Sequence, residues 1–391
     1  LRMRADHLIE DYLESRDTKE VVPTYNSEII PTKEVEGVLL SKKVEGWSED
    51  KMSHFIQQFG ITCPNCKKHE WTNVRKFNLL FPVQLGIIEG EKGLGYLRGE
   101  TAQVIFVNFK NVTASNRVKL PFGIAQIGKS FRNEITPGNA IFRTVEFEQA
   151  EIEYFFDPKS MDWKELFEDW KKRMYEFVTE KLGIQKEKLQ WRSHTDEERS
   201  FYSTRTEDLE YEFPFGMKEL WGLAYRSDYD LTQHGKFSGK DMTITDPQTG
   251  EKIIPHVIEP AGGINRFMLM VLCDAYQEDE KRIYLKIHPS LAPVKAAVFP
   301  LLSNKPELIE TAQVLYKNLK KQIDGVVAWD DRGNIGKRYL SQDEVGTPFC
   351  ITVDFQTLED KTVTIRHRDT AEQERIAIDQ LVSYLQKKLQ G

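Results

Sequence analysis

The chain has 391 residues, of which 40% are hydrophobic and 29% are charged, and its 54 basic and 61 acidic residues give a formal net charge of −7. The length suggests two or three domains, and the composition is that of a soluble globular protein and not of a disordered one. The charge does not favour a protein that coats nucleic acid through a basic surface, and no run approaches the ~18 apolar residues of a membrane span.

The N-terminal part is predicted to hold two short helices, over residues 1–15 and from Ser48 to Gln58. Neither a cap nor a strand precedes the first helix, so we expect the natural N-terminus to lie upstream. Cys63 and Cys66 have the spacing of half a zinc knuckle, but a closed tetrahedral site needs two more ligands. The sequence leaves two possibilities open, a zinc site and an incomplete knuckle.

Residues 71–111 alternate short β-rich runs with glycine-containing turns, and a helix is predicted to begin at Thr101. Two apolar runs, 124–135 and 140–156, flank a Thr-Pro-Gly-Asn turn. They predict two long antiparallel strands, and we expect the carboxylates of the second strand to form one charged face. These carboxylates are Glu146, Glu148, Glu151 and Glu153.

Downstream, residues 160–182 have the apolar spacing of a helix, and 201–231 return to strands. Residues 253–276 are predicted to be a strand, a glycine break and a buried helix. Beyond a charged linker, strands alternate with helices over 290–391, with helices predicted at 306–323, 334–343 and 371–389. This alternation indicates a separate α/β domain with a mixed sheet.

The hairpin places Arg132 and Glu134 on one face of a strand, and Arg143 and Phe147 share a face across the turn. A guanidinium suits a phosphate, a carboxylate accepts a hydrogen bond from an adenine amine, and a phenyl ring offers a stacking surface. The pattern fits a nucleotide laid across an antiparallel sheet. A cross-strand ladder of salt bridges would also place Arg opposite Glu.

Glu259 ends a predicted strand, and Arg266 lies in the first turn of the helix that follows a Gly-Gly pair. Small residues allow a ligand to approach the backbone, and a helix N-terminus favours anions. Glu259 is a candidate to hold Mg²⁺ against phosphates. The alternative is a plain strand-to-helix turn with a solvated Arg.

The pairing of FRNE and RTVEF with a later Gly-Gly-x-x-Arg resembles two signature motifs of class II aminoacyl-tRNA synthetases. Longer strings over nearly the whole chain resemble the homodimeric type of glycyl-tRNA synthetase. They are RADHLIE from Arg4, FNLLF from Phe77, YLRGETAQ from Tyr96, VNFKNV from Val107, FEQAEIEYFF from Phe147, ELWGLAYRSDYDL from Glu219, HVIEPAGGINR from His256 and DEVGTPFCITVD from Asp343.

The sequence departs from the family's pattern at five places, which bear on fine specificity and on contacts with the tRNA end. The family usually has Pro at Gly99, Gly at Val104, Arg at Val145 and Ser at Ala261, and often has Arg at Gly138. Its first signature motif is expected before Leu1.

The resemblance implies an α+β fold, with a class II catalytic domain over 1–289 and an anticodon-binding domain over 290–391. The catalytic domain would be an antiparallel sheet flanked by helices, with a helical insertion at about 157–200. It also implies a cytoplasmic homodimer that activates glycine with ATP and Mg²⁺ and transfers it to its tRNA, with no membrane partner.

The resemblance further assigns residues to each ligand. Arg132 and Arg266 would be catalytic, with Arg132 on the α-phosphate, Glu134 on the adenine amine and Phe147 stacked on the ring; Arg143 and Arg266 would hold the outer phosphates, and Glu219 would lie near Mg²⁺. The full ATP set is Arg132, Asn133, Glu134, Phe142, Arg143, Thr144, Phe147, Glu219, Leu220, Gly263 and Arg266. The glycine set is Arg4, Glu100, Phe147, Glu148, Gln149, Glu151, Glu259, Ala261 and Gly263.

Aromatic and Arg planes stack on splayed RNA bases, and carboxylates accept from base amines. The anticodon candidates chosen on this ground are Trp329, Asp330, Arg332, Arg366, Arg368 and Asp369, each of which is equally compatible with ordinary surface or core. Two other functions stay open. One is a synthetase-like accessory subunit that binds nucleic acid without catalysis, and the other is a synthetase for a different small amino acid.

Overall fold

A computed structural model describes residues 3–15, 30, 44, 47–86, 93–196 and 198–389. By its contacts the chain divides into two compact units. The first comprises Leu1–Lys171, Gln190–Glu210 and Lys218–Arg266, and the second comprises Lys172–Leu189, Tyr211–Met217 and Phe267–Gly391.

The N-terminal helices are α1 (Ala5–Glu14) and α2 (Glu49–Gln58). Ser48 caps α2, since its side chain accepts a hydrogen bond from the amide of Lys51 at 3.3 Å. Apolar side chains of both helices share a buried cluster, in which Leu8 and Ile9 of α1 meet Phe55 of α2. Both predicted helices are therefore confirmed.

A short antiparallel hairpin follows, made of β1 (Phe81–Leu85) and β2 (Gly93–Leu97). The helix α3 (Ala102–Asn116) begins where the sequence predicts and continues beyond it. Its Ile105, Phe106 and Phe109 are buried against the large sheet, which fixes the position of Glu100 and Thr101 just before the helix.

The large sheet has six strands in the order β3-β4-β10-β7-β6-β5, and its β3–β4, β4–β10 and β10–β7 pairs are antiparallel. The predicted hairpin is confirmed as its β3 and β4. The strands are β3 (Phe122–Phe131), β4 (Glu146–Phe156), β5 (Leu189–Ser193), β6 (Arg205–Phe213), β7 (Gly216–Ser227) and β10 (His256–Gly263).

The predicted single charged face of β4 is wrong. Glu146 and Glu148 lie on the exposed side of the strand, whereas Glu151 and Glu153 are buried on the other side with Gln149. The reason is that side chains alternate along a strand with period two, so even-numbered and odd-numbered carboxylates point to opposite faces.

Helices and short pairings complete the first part of the chain. The predicted helix over 160–182 is α4 (Trp163–Glu176), which continues as a π-helix over Phe177–Lys181, and a 3₁₀ turn covers Lys186–Lys188. The strand region predicted at 201–231 ends in α5 (Tyr229–Ser238), and α6 (Ile264–Ala275) follows β10 as predicted. The two short hairpins are β8 (Ile244–Thr245) with β9 (Lys252–Ile253), and β11 (Tyr276–Glu278) with β12 (Ile283–Leu285).

The C-terminal sheet has five strands in the order β14-β13-β15-β16-β17. Its β13 runs parallel to β14 and β15, while β15–β16 and β16–β17 are antiparallel, so the sheet is mixed as predicted. Its elements are β13 (Val294–Pro300), α7 (Pro306–Gln322), β14 (Val326–Trp329), α8 (Ile335–Val345), β15 (Phe349–Val353), α9 (Phe355–Asp360), β16 (Thr362–His367), β17 (Gln373–Ala377) and α10 (Ile378–Leu389).

The helix predicted over 371–389 is too long at its start, because Gln373–Ala377 is the edge strand β17. Its charged sequence QERIA carries no strong strand pattern, and only the pairing with β16 makes it a strand. In the described part of the chain, no helix is long and apolar enough to cross a membrane.

Candidate active site

The charged residues of the large sheet converge on a cavity of about 270 Å³. Strands β4, β7 and β10 form its floor, and the β3–β4 turn forms one wall. The predicted residues that line it are Glu100, Arg132, Glu134, Phe142, Arg143, Thr144, Phe147, Gln149, Glu151, Glu219, Glu259, Ala261, Gly263 and Arg266. Residues that lie more than a hundred positions apart in sequence therefore meet in one site.

Arg132 and Phe147 form one end of this cavity. The Arg132 guanidinium carbon lies 5.3 Å from the centroid of the Phe147 ring, and Arg132 Nε donates to the carbonyl of Gly99 at 3.2 Å. A cation over a ring face is held by the ring's quadrupole. The arrangement positions a guanidinium and a flat aromatic surface side by side, as a nucleotide's phosphate and base require.

Arg266 extends from the first turn of α6 across the cavity. Its guanidinium carbon lies 4.3 Å from the centroid of Phe142, and its Nη1 lies 3.1 Å from both the main-chain oxygen and Oε2 of Glu219. The same guanidinium lowers the pKa of Glu219 against the opposing effect of burial, so this carboxylate is ionised. A half-exposed carboxylate and a guanidinium therefore face the cavity together.

Arg143 lies between two other guanidinium groups, those of Arg4 and Arg266. Burial lowers the pKa of Arg143, and these two neighbours lower it further, while Glu134 opposes them. Arg143 and Arg266 both line the cavity, and they repel each other when no ligand is bound. A polyanion bound among them would remove that repulsion.

Arg4 lies outside the smaller cavity and lines a larger one of about 870 Å³ between α2 and the segment that precedes β1. Glu134 lines both cavities. Arg4 pairs with Asp6 and is attracted to Glu134, so the structure places it near Glu134 and not beside the buried carboxylates. The larger cavity is also lined by charged side chains, but none of them belongs to a strand of the large sheet; they are Arg4, Asp6, Glu49, Arg75, Lys76 and Glu134.

Three further predicted residues also lie outside the smaller cavity. Leu220 is buried behind the strand that presents Glu219, and Asn133 bonds through its side chain to the carbonyl of Asn78 at 3.4 Å. Glu148 is exposed on the opposite face of β4 from Gln149 and Glu151. The structure thus contradicts the prediction that Glu148 and Glu151 surround one ligand, since strand alternation separates them.

Glu151 lies at the deep end of the cavity and is 3% exposed. Its carboxyl accepts hydrogen bonds from the Thr101 hydroxyl and from Gln149 Nε2, the latter at 2.5 Å. Ser130 in turn donates to Gln149 Oε1 at 3.1 Å. Burial and the neighbouring Glu259 raise the pKa of Glu151 to about 7, so this end of the cavity is prepared for a cation.

Glu259 is held by Arg226, which the sequence prediction did not include. Arg226 Nη1 donates to Glu259 Oε2 at 2.5 Å, and its Nε and Nη2 donate to the two oxygens of Asp230 at 2.7 and 2.8 Å. The guanidinium is 2% exposed and lies 3.9 Å from the Tyr202 ring centroid. A buried carboxylate that already has a cation as partner is a poor Mg²⁺ ligand, so Glu259 fits the predicted metal role less well than the half-exposed Glu219 does.

Glu153 was also missed as a member of this cluster. It is fully buried, no donor group of the described residues bonds to its carboxyl oxygens, and its hydrogen-bonding neighbour is the carboxyl of Glu259. Burial and the neighbouring Glu259 raise its pKa well above the usual value, so the group is neutral. Both omissions had a signal in the sequence. Glu153 is two residues after Glu151, and Arg226 stands four residues before Asp230.

A second wall of the cavity carries a histidine. His194 Nε2 lies 2.7 Å from Asp208 Oδ2, and the pair lies beside Glu219. The hydrogen bond to Asp208 raises the pKa of His194 against the effect of burial. Sequence spacing gave no signal for this pair, because β5 and β6 bring the two residues together across a 14-residue separation.

The predicted anticodon residues form two groups that lie at opposite ends of the strands of the C-terminal sheet. Trp329 is the last residue of β14, and Asp330 and Arg332 follow it at the carboxyl ends of the parallel strands. Arg366, Arg368 and Asp369 lie at the end of β16, which is antiparallel to β15. The two groups therefore cannot form one contiguous surface. Trp329 is half-buried, and its ring centroid lies 5.8 Å from that of Tyr316.

Arg366 and Arg368 are buried, which contradicts their prediction as contacts for RNA bases. Arg366 donates to both oxygens of Asp343 at 2.8 and 2.9 Å, and Arg368 Nη1 donates to the carbonyl of Gly346 at 2.7 Å. Asp369 accepts from Arg368 Nε at 2.7 Å. These side chains connect strands and helices inside the second compact unit.

Cys63 and Cys66 lie in a tight turn after α2. The amides of Cys66 and Asn65 donate to the Cys63 sulfur and lower its pKa, which is the local geometry of half a knuckle. Among the described residues no group of three His, Cys, Asp or Glu side chains gathers in a way that could hold a metal ion. The choice between a zinc site and an incomplete knuckle is thus left where the sequence leaves it.

Comparison with known proteins agrees with this arrangement. The family described as "tRNA synthetase class II core domain (G, H, P, S and T)" matches residues 89–275, and the "Anticodon binding domain" family matches residues 295–388. A glycine–tRNA ligase of Caldanaerobacter subterraneus subsp. tengcongensis is 50% identical over 393 residues, which cover 99% of this chain and 78% of that protein. Those of Clostridium acetobutylicum and Alkaliphilus oremlandii are each 48% identical over 394 residues, covering 99% of this chain and 79% of each relative. With this identity and coverage, and with the two domains in order, the chain belongs to the glycine–tRNA ligase family of class II aminoacyl-tRNA synthetases.

Proposed function

We propose that the cavity on the large sheet joins glycine to ATP, giving glycyl-adenylate and pyrophosphate, before glycine passes to the terminal ribose of its tRNA. The observation that carries this proposal is the division of charge within one cavity. Guanidinium groups of Arg132, Arg143 and Arg266 surround one end, and the carboxyls of Glu151 and Glu259 lie at the other. A triphosphate and an ammonium group fit these two ends.

The first reaction is attack of the glycine carboxylate on the α-phosphate, with pyrophosphate leaving. No covalent bond to the protein forms, so the protein acts by positioning the reactants and neutralising charge. Arg132 holds the α-phosphate next to the Phe147 ring, on which adenine stacks, and Glu134 accepts from the adenine amine. Arg143 and Arg266 hold the outer phosphates.

The family's reaction also uses Mg²⁺, and Glu219 fits such an ion. Its carboxylate is ionised, half-exposed and directed into the cavity beside Arg266. Glu219 Oε2 pairs with Arg266, but the side chain is 50% exposed, against 9% for Glu259, and Mg²⁺ near substrate phosphates is usually bound by one or two carboxylates. The ion, when bound, neutralises phosphate charge, and Glu219 would be its ligand from this chain.

Glycine is selected at the end of the cavity that holds the carboxyls. Glu151 and Glu100 face the ammonium group, and Arg226 holds Glu259 in place near them and opposes the rise in the pKa of Glu259 that burial causes. Ala261 lies opposite Glu151 in the β10–β4 register and forms the adjacent floor. Because glycine has no side chain, rejection of larger amino acids depends on the small volume between these groups.

The C-terminal sheet is proposed to contact the tRNA anticodon through the loop that follows β14. Asp330 and Arg332 lie there at the carboxyl edge of the parallel strands, and the Arg332 side chain is 87% exposed. Edges of this kind are frequent ligand sites in α/β sheets. We also propose, from the family alone, that the chain acts as a homodimer in the cytoplasm. On the same ground, the boundary between its two domains would lie near residue 290 of the sequence.

The test is glycine-dependent exchange of pyrophosphate into ATP by the purified protein. Exchange that requires glycine and is not supported by alanine or serine is expected. A non-catalytic accessory subunit would show no exchange with any amino acid. A synthetase for a different small amino acid would show exchange that glycine does not support.

A further inference from the structure

Helix α8 carries a buried arginine, Arg338, that is 2% exposed. The four hydrogen bonds described for its guanidinium all end on main-chain carbonyls. Nη1 donates to Pro300 at 2.6 Å and to Asp330 at 3.4 Å, while Nη2 donates to Gly333 at 3.3 Å and to Leu301 at 3.4 Å. One side chain therefore joins the end of β13 to both ends of the turn that follows β14.

The two segments that Arg338 joins lie at the same edge of the C-terminal sheet. β13 and β14 are parallel neighbours, so their carboxyl ends meet there, and the amide of Asp330 contacts the carbonyl of Val298 at 3.4 Å. Without Arg338 the turn over 330–334 would depend on this one bond and on local contacts. The Arg338 guanidinium holds the backbone of this turn against the end of β13.

Of the two charged side chains in this turn that form an ion pair, that of Arg332 is 87% exposed and that of Asp330 is 15% exposed. The Asp330 carboxylate accepts from the amide of Arg332 at 3.0 Å and from its Nε at 3.1 Å, which orients a guanidinium that is otherwise exposed. Asn334 then caps α8 by accepting from the amide of Lys337 at 2.9 Å. A rigid backbone with an oriented guanidinium and carboxylate on top matches what recognition of unstacked bases requires.

We propose that Arg338 is a positioning residue for the tRNA, and that it holds the turn over 330–334 in the conformation that contacts the anticodon loop. This inference rests on the role proposed above for Asp330 and Arg332. Arg338 touches no substrate and acts through the backbone of the turn. Its energetic contribution to tRNA binding is the ordering of that turn before the RNA arrives.

Arg282 provides a matched control. Its side chain is 8% exposed, it lies in the same compact unit, and it too donates to main-chain carbonyls, of Arg368 at 2.6 Å and of Asp369 at 3.4 Å, besides pairing with Asp343. It belongs to the opposite edge of the C-terminal sheet from the turn over 330–334. Arg282→Met therefore removes a buried guanidinium of similar kind without touching that turn.

The experiment compares Arg338→Met, Arg338→Lys, Arg282→Met, Arg332→Ala and the double variant Arg332→Ala/Arg338→Met in the full chain. For each, the KM for the tRNA in charging, the rate of glycine-dependent pyrophosphate exchange and the Tm are measured. We expect Arg332→Ala and Arg338→Met each to raise the KM for the tRNA about tenfold, with exchange unchanged. The double variant should have a KM for the tRNA only slightly higher than that of the more affected single variant, because both substitutions act through one turn.

Arg282→Met is expected to lower the Tm as much as Arg338→Met while leaving the KM for the tRNA near that of the unsubstituted chain. Arg338→Lys keeps the charge and the fold but not the fork that reaches two segments, so it should show the same KM shift with a smaller loss of Tm. It keeps the test valid if Arg338→Met does not fold.

The results that overturn the inference lead to two different conclusions, according to whether Arg332→Ala raises the KM for the tRNA. If Arg332→Ala raises the KM for the tRNA and neither Arg338 variant does, the turn contacts the tRNA but Arg338 does not position it. The same conclusion follows if Arg282→Met shifts the KM as much as Arg338→Met, or if the double variant multiplies the single effects. If Arg332→Ala also leaves the KM unchanged, the proposed anticodon role of the turn fails, and the inference fails with it.

Discussion

The buried carboxyl of Glu151 is suited to a cationic substrate, although its ionised form is disfavoured while the cavity is empty. Burial and the neighbouring Glu259 both disfavour its charge and raise its pKa to about 7. Hydrogen bonds from Thr101 and Gln149 offset part of this effect and fix its orientation. An ammonium group in the cavity would stabilise the ionised form, so substrate binding and ionisation of Glu151 are coupled.

The first prediction is a pH dependence of glycine binding. Below pH 7 Glu151 becomes protonated in the free enzyme, so the KM for glycine should rise as pH falls through about 7, while the KM for ATP changes less. In Glu151→Gln the KM for glycine should be high at every pH, and the inflection near pH 7 should be lost. Exchange kinetics at pH 6, 7 and 8 measure both constants.

Glu148→Gln is the control for this prediction. It removes one carboxylate from the same strand, but from the exposed face outside the cavity. Its KM for glycine should match that of the unsubstituted chain. A KM for glycine that is unaffected by Glu151→Gln would remove Glu151 from the ammonium site.

The second prediction concerns Glu153, whose neutral form is favoured in the folded chain. A carboxyl whose folded pKa is raised binds more protons folded than unfolded, so its contribution to stability is present at low pH and is lost as pH rises above the unfolded value of about 4.3. Glu153→Gln keeps the shape and cannot ionise. It should raise the Tm at pH 8 by a few degrees and leave the Tm at about pH 4 almost unchanged. A lower Tm at both pH values would mean that Glu153 is ionised and paired.

The third prediction removes a guanidinium from the phosphate end. Arg266 contacts Phe142 and Glu219 at the rim of the cavity and not the apolar core, so Arg266→Ala should leave the fold intact. Exchange should fall by ~10²-fold or more, since the charge stabilises the leaving pyrophosphate. Near-normal exchange with an unchanged Tm would exclude Arg266 from the reaction.

At the level of elements, the sequence predicts periodic segments well and directions poorly. Apolar spacing locates α3, α4 and α6, and the turn residues before Ile141 locate the β3–β4 hairpin. Counting residues along β4 shows which of its carboxylates share a face. The prediction of one charged face is wrong because it did not apply this count across Glu148 and Glu151. The edge assignments of Asp330 and Arg366 depend on strand direction in a mixed sheet, which no local pattern specifies.

The fourth prediction tests an element end. Gly346 follows α8 with φ +85°, and a Cβ there would lie 3.0 Å from the carbonyl oxygen of Leu285 and 3.0 Å from Ile287 Cδ1. Gly346→Ala should therefore cost backbone strain of about 1–2 kcal/mol and an additional steric term. Gly333→Ala is the control, because Gly333 has φ +64° but nothing within 4 Å of its Cβ position. Its Tm should fall less, and equal losses would show that strain alone matters.

At the scale of the whole molecule, the contacts and the family matches divide the chain differently. The anticodon-binding match begins at residue 295, whereas the second compact unit already begins its long segment at Phe267. Within that unit Arg282 pairs with Asp343, and Leu285 and Ile287 lie against Gly346. The charged segment around Arg282, which the sequence marks as a linker, therefore contacts the C-terminal end of α8.

The last prediction rests on this attachment. Deletion of residues 291–391 should abolish tRNA charging, because the proposed anticodon contacts are lost. It should also remove the contacts of Arg282 with Asp343, Arg368 and Asp369 and expose the apolar side chains of Leu285 and Ile287 that lie against Gly346, which lowers stability. We therefore expect glycine-dependent exchange to persist at a reduced level with a clearly lower Tm, while Arg332→Ala in the full chain keeps full exchange and a normal Tm. Full charging of tRNA by the truncated chain would show that the C-terminal sheet is dispensable for tRNA recognition, and an unchanged Tm would show that the hairpin of β11 and β12 does not depend on Asp343.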